Sequence, residues 1–227
     1  MMERLAVATP DGVGELVLDA AVAPRAGLLL GHGAGSDIEG WDLALLAREL
    51  PAHGVIVARY RQPHRMVGRK LPGSTASLDR GWTPAVAALR ERWPDLPLFV
   101  GGHSAGARTA CRGFDAQTPG VVALSFPLHP PGQPAKSRVA ELIGVTGPVL
   151  VVQGSRDTFG TPGEFRASID PWPQNLRLVE VPDATHPLAP VRNAPAEAVE
   201  ARERLVVAAV ADFIDGVIRP PAAAATP

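Results

Sequence analysis

The stretch Leu98–Cys111, LFVGGHSAGARTAC, decides the fold. A short apolar run enters Gly101-Gly102-His103-Ser104-Ala105-Gly106 and passes straight into small residues that favour a helix. A buried strand has no need of glycine on both sides of a serine. A turn from strand to helix does, if it is tight enough that side chains two residues away would collide. Gly102-His103-Ser104-Ala105-Gly106 is G-x-S-x-G placed where a strand should end and a helix begin. In that setting the serine is held in a strained backbone conformation, its hydroxyl raised above the sheet at a helix N-terminus. The alternative is a serine that merely caps a helix; the strand–turn–helix context favours an exposed nucleophile.

On either side, apolar runs alternate with helical patterns. RLAVATPDGVGELVLDA reads as a hairpin turning at Pro10-Asp11-Gly12. AGLLLGHGAG, VIVARYR, LFVGGH, VVALSFPL, GPVLVVQGS and LRLVEVPDA read as strands, most without polar alternation, as strands covered on both faces do. Between them lie helical segments at GWDLALLARELPAHG, at GWTPAVAALRERWPD with Pro84 near its first turn, at SAGARTACRGFDA, around Arg138–Ile143 and at GEFRASI. PAEAVEARERLVVAAVADFIDGVI closes the chain as a long helix. The expected fold is α/β: a mostly parallel sheet with helices on both faces, in one domain over residues 1–219, with RPPAAAATP ending in a frayed tail over 220–227. Ligands of such sheets sit beyond the carboxyl ends of the strands.

The 227 residues are 46% hydrophobic, enough for one sizeable core, and the net charge is −1. That balance offers no electrostatic reason for nucleic acid or an anionic membrane as partner. One cysteine, Cys111, permits no internal disulfide. The chain has neither an apolar signal core nor a membrane-length run, so a cytoplasmic protein is expected.

A serine hydroxyl needs a general base. Of six histidines, His186 in VPDATHPLAP lies between the last strand and the last helix, where it can reach back over the serine; His129, at another strand end, is the competitor. His103 is expected to turn away and to pack or hydrogen-bond locally, His53 to be solvated and His64 to sit in a basic loop. The base needs a carboxylate to fix its tautomer. Asp157 in VLVVQGSRDTFG sits just past a buried strand; Asp183, in the loop of His186, is the rival. The order Ser104, Asp157, His186 is the one expected on this fold. Oxyanion donors are sought in LLLGHGAGSD, where the Ala34 N–H pairs with that of Ala105, Gly35 being second choice. The pattern matches no nucleotide-binding loop, and neither metal nor cofactor is called for.

Together, LLLGHGAGSD, VGGHSAGAR, FPLHPPGQP, VVQGSRDTFG and DATHPL resemble the α/β-hydrolase superfamily, and within it the small, capless, dienelactone-hydrolase-like branch that includes testis-expressed protein 30. The resemblance runs from about Leu28 to the final helix and implies a Ser-His-Asp enzyme with Ser104, Asp157 and His186 at the matching positions. Dienelactone hydrolases proper use cysteine as nucleophile; here serine holds that place and Cys111 reads as a small buried residue. The expected activity is that of a carboxylesterase or thioesterase on a small-molecule ester with a small or medium acyl group, since only about twenty residues separate VVALSFPL from GPVLVV, too few for a large lid. An acyltransferase with the same triad and an idle hydrolase fold used for binding are the alternatives. The loop RQPHRMVGRKLPGS holds Arg61, Arg65, Arg69 and Lys70 without an acid. It is either a solvated basic loop or, through Arg65 and Arg69, the reader of an anionic substrate; Gly35 and His129 are further substrate-binding candidates.

Overall fold

The computed structural model describes residues 2–218. The expected tail over 220–227 lies outside the described residues. Eight strands form one sheet: β1 (Met2–Thr9), β2 (Gly12–Asp19), β3 (Ala26–Gly31), β4 (Val55–Arg61), β5 (Leu98–His103), β6 (Val121–Leu124), β7 (Val149–Gly154) and β8 (Leu176–Val181). Their order is β1-β2-β4-β3-β5-β6-β7-β8. The β1–β2 hairpin is antiparallel and joins β4 antiparallel; every pairing from β4 across to β8 is parallel.

The helices are α1 (Trp41–Glu49), α2 (Pro63–Met66), α3 (Thr75–Arg92), α4 (Ala105–Arg112), α5 (Val139–Ile143), α6 (Pro162–Ser168) and α7 (Ala196–Ile218). Strand alternation divides the core. Leu28 and Leu30 of β3, with Leu150 and Val152 of β7, face Leu43 and Leu46 of α1 and Val206 and Val210 of α7. Leu29, Val149 and Val151 face the other way, toward Trp82 and Leu89 of α3, Ala107 and Cys111 of α4 and Phe165 of α6. Both faces are covered, which is why the strands read as continuous apolar runs rather than alternating ones.

Two local readings are corrected. The helix expected at Gly81 starts at Thr75, because Ser74 and Ser77 cap each other: the Ser77 N–H donates to Ser74 Oγ at 3.1 Å and the Ser74 N–H to Ser77 Oγ at 3.2 Å. Pro84 therefore lies inside α3 instead of in its first turn. The basic loop contains α2, a single turn entered through Pro63.

The strand order places the site. From β3 the chain moves to β4 on one side, then crosses back over β3 to β5 and continues outward. The loops after β3 and β5 thus diverge at the point where the winding direction reverses, which opens a crevice at the carboxyl edge.

Candidate active site

Ser104 occupies the turn from β5 to α4 with φ 52° and ψ −109°, a left-handed conformation that a non-glycine residue adopts only under constraint. Its N–H donates to the Leu124 carbonyl at 3.0 Å, tying the turn to β6. The flanking glycines answer to β3. A Cβ on Gly102, whose φ is 151°, would lie 2.3 Å from the Gly31 carbonyl oxygen, and one on Gly106 would lie 2.1 Å from the same atom. Neither distance is tolerable, so the tight packing of the elbow on Gly31 requires both glycines.

Ser104 Oγ lies 2.9 Å from His186 Nε2, and His186 Nδ1 lies 2.8 Å from Asp157 Oδ2. His186 comes from the loop between β8 and α7, and Asp157 from the turn after β7. Asp157 is fully buried. Its Oδ2 also accepts from Gln153 Nε2 at 2.8 Å and its Oδ1 from the Phe159 N–H at 2.8 Å. These donors fix the direction of the carboxylate. Phe159 stacks on the His186 ring at 4.1 Å between centroids. Asp183, the rival carboxylate, is exposed with φ 54° and its N–H donates to Ser155 Oγ, so it shapes the turn that presents His186.

The other side of the His186 ring meets His103, 5.0 Å away between centroids. His103 packs as one of the two sequence readings has it, but its hydrogen bond is distant in the chain: its Nδ1 is 2.7 Å from Oδ2 of Asp42 on α1, a carboxylate only 2% exposed. Burial opposes a charge on His103, but the Asp42 charge and hydrogen bond, with Asp157 further off, outweigh it and hold its pKa above the ordinary histidine value.

The Ala105 N–H is the first of α4 and has no acceptor within the helix. Ala34 lines the same cleft, in a loop that His32 holds. His32 Nε2 accepts from the Gln62 N–H at 3.2 Å, so its Nδ1–H donates to the Gly33 carbonyl at 2.8 Å. His64 packs beside His32, with 5.6 Å between ring centroids. Burial lowers the pKa of both rings, that of His32 to about 4. At neutral pH both rings are uncharged, and His32 props the backbone.

The cleft around Ser104 is about 370 Å³ in volume. Gly33, Ala34, Gly35, Ser36, His103 and Ala105 form one part of its wall; Arg108, Pro127, Arg138, Phe159 and His186 complete it. Gly35 is therefore in place. Arg65, Arg69 and His129 are not part of this wall. Arg65 Nη2 lies 3.4 Å from Asp37 Oδ2, and Arg69 lines a separate depression with Asp11, His64 and Arg80. Arg59 and Arg61 of the same basic stretch pair with Asp19, Glu39, Glu15 and Asp37. Three of the basic stretch's cations are thus paired from other elements, while among the described residues no carboxylate lies within ion-pair distance of Arg69 or Lys70. His129 bonds the Pro130 carbonyl and faces Glu164 at 3.4 Å, away from the serine. Trp82 is core and Trp172 is partly exposed; neither tryptophan lines the cleft. Cys111 is buried, its thiol pushed up to about 12 by burial. Among the described residues, no three histidine, cysteine, aspartate or glutamate side chains gather in a metal-binding group, and no helix is long and apolar enough to cross a membrane.

A strained serine elbow at the switch point of an eight-stranded sheet, backed by a histidine and an aspartate from later loops, defines the α/β-hydrolase fold. Residues 24–215 match the alpha/beta hydrolase domain family, and the chain belongs to it. Solved structures share the architecture. An alpha-beta serine hydrolase homologue from Coxiella burnetii is 17% identical, with a TM-score of 0.72 over 90% of this chain and 95% of its own. A serine hydrolase without lid from Xanthomonas campestris is 20% identical, with a TM-score of 0.69 over 100% of this chain and 97% of its own. A highly thermostable carboxyl esterase from Bacillus coagulans is 14% identical, with a TM-score of 0.72 over 96% of this chain and 99% of its own. Like the Xanthomonas protein, this chain has no cap domain: the β6–β7 connection holds only the short α5.

Proposed function

We propose that the protein is a serine hydrolase of the carboxylesterase or thioesterase type, acting on small or medium acyl groups in a cytoplasmic setting. The observation that carries this reading is the unbroken chain Ser104 Oγ, His186, Asp157, with links of 2.9 and 2.8 Å. Ser104 Oγ bonds to the acyl carbon as its proton passes to His186 Nε2. Asp157 holds Nδ1–H in place and balances the imidazolium. The carbonyl oxygen, now an anion, accepts from the Ala34 and Ala105 amides; one such donor is worth about 10²–10³ in rate. The C–O or C–S bond to the leaving group breaks, and His186 returns the proton to that group. Water then repeats the sequence: His186 takes its proton, its oxygen bonds to the acyl carbon, and Ser104 leaves carrying the proton. The esterase among the structural neighbours and the absence of a cap support an ester substrate entering an open cleft. The partner is a small molecule; a net charge of −1 speaks against nucleic acid.

The test is covalent labelling by a fluorophosphonate probe, followed by turnover of p-nitrophenyl esters of graded chain length. The native protein should label and Ser104→Ala should not. Equal labelling of both overturns the assignment, and no labelling of the native protein indicates an idle fold. Ester product formed with an added alcohol in place of free acid would identify an acyltransferase.

A further inference from the structure

Two arginines reach the cleft wall, and their surroundings differ. Arg108 is gripped by both oxygens of Glu141, at 2.7 and 2.5 Å. Arg112, behind it, shares Glu141 at 3.1 Å and is held by Asp79 at 2.6 Å. Two carboxylates thus balance two guanidiniums. Arg138, which stands immediately before α5, is the third cation of this group, and among the described residues no carboxylate lies within ion-pair distance of it. Of its five N–H donors, one is used within the fold: Nη1 donates to the Pro127 carbonyl at a long 3.3 Å.

Arg138 is half-buried, and the cleft wall it joins contains no aspartate or glutamate. Burial, then the Arg108 charge, lower its pKa, with Glu141 acting against them. An arginine remains charged all the same. A partly desolvated guanidinium with unused donors, beside a second arginine already neutralised, is arranged to receive a planar acceptor.

We propose that Arg138 selects substrates that carry an anionic group, a carboxylate or phosphate, in addition to the bond being cleaved. The anion binds at the Pro127 side of the cleft while the scissile carbonyl lies between Ser104 and the oxyanion amides. This assignment rests on the reading of Ser104 as nucleophile. It moves the anion recognition that the sequence suggested for Arg65 and Arg69 to a residue of the β6–β7 connection.

The experiment compares kcat/KM for 4-nitrophenyl hydrogen adipate with that for its methyl-capped neutral counterpart, with a phosphate-bearing ester of similar length in parallel. The native protein should favour at least one of the two anions over the neutral ester. In Arg138→Gln that ratio should fall about tenfold to a hundredfold, as expected for a lost charged hydrogen-bonded pair, chiefly through KM. Arg138→Lys should restore part of it, and Arg69→Gln should keep the native ratio. A native ratio at or below one for both anions, a ratio unmoved in Arg138→Gln, or an equal fall in Arg69→Gln overturns the proposal. If the neutral ester is hydrolysed in those cases, only the Arg138 assignment falls. If nothing is hydrolysed and Ser104 does not label, the hydrolase reading falls and takes this one with it.

Discussion

Two pairs of histidines lie around the loop after β3, and they differ in what they bond. The rings of His32 and His64 lie 5.6 Å apart, those of His103 and His186 5.0 Å apart. His32 bonds backbone groups only, and among the described residues neither it nor His64 pairs with a carboxylate, so burial is the largest influence on their charge and both pKa values fall. His103 and His186 each bond a carboxylate that is itself out of solvent, Asp42 or Asp157. Burial without a counter-ion gives a neutral prop. Burial with one gives a ring that can carry a proton. On the proposed mechanism the site uses both kinds, one to brace the loop that carries Ala34 and one to move the proton.

The largest effect comes from removing a counter-ion on the second side. Asp157→Asn should lower kcat on a neutral ester by about 10³–10⁴-fold, because the amide leaves the wrong tautomer of His186 and no charge to meet its proton. The thermal melt should show a folded protein. A loss below about tenfold would mean that Asp157 does not orient the base.

Protonating His32 is the next largest. Its pKa is about 4 when folded against 6.5 for the free side chain, so the unfolded chain binds the proton more tightly. Stability should therefore be unaffected by this group above about pH 6.5, decline as the pH falls from there, and be lower by about 3 kcal/mol near pH 4. His103 has the opposite sign: its raised pKa contributes stability below the ordinary histidine value, lost as the pH rises through the folded one. Urea unfolding across this range, in the native protein and in His32→Gln, isolates the first effect. The variant should lose most of the acid slope; an unchanged slope would show that His32 is not held neutral.

Asp42→Asn should convert the second kind of histidine into the first. With the carboxylate gone, burial of His103 is less opposed and its pKa should move down toward that of His32, readable in the proton NMR titration of the ring. Stability should fall by about 1–3 kcal/mol. The loss in kcat should be far smaller than for Asp157→Asn, because the His103 ring packs on His186 while it is His186 that bonds the Ser104 hydroxyl. A His103 titration that stays put would break the comparison.

How much of this was legible before the fold was known depended on the length of chain each feature needs. The elbow is local: Gly102, Ser104 and Gly106 carry their own constraint. The strands were legible because burial on both faces removes polar alternation over six or seven residues, as in Leu98–His103 and Val55–Arg61. Ser104, Asp157 and His186 were each readable from a position just past a strand, and the structure brings them together. The supports were not. Asp42 is 61 residues from His103 and sits in an ordinary amphipathic helix, so nothing local marks it. Gln153 reads as the last residue but one of an apolar strand, and its bond to Asp157 depends on the turn that follows. Arg138 was hidden for the converse reason: Glu141, three residues on, reads as its partner, yet Glu141 turns to Arg108 and Arg112.

The smallest expected effect concerns the basic loop beside the neutral pair. In sequence, Arg65 is a cation without an acid nearby. In the fold it reaches Asp37, which Arg61 also engages at 2.8 Å, so its charge is already matched and its side chain stays outside the cleft. At 20% and 32% exposure the Arg65–Asp37 pair is partly screened, and at 3.4 Å it is long for an ion pair. Arg65→Ala should therefore cost less than about 1 kcal/mol in stability. Asp37 keeps Arg61, so the loop after β3 should hold its place and kcat on a neutral ester should change by less than about threefold. The ratio of KM for anionic and neutral esters should not move. A selective rise in KM for the anionic ester would return anion recognition to this loop and show that Asp37 releases Arg65 when substrate binds. It would also mean that the side of the site held by neutral histidines reads charge after all.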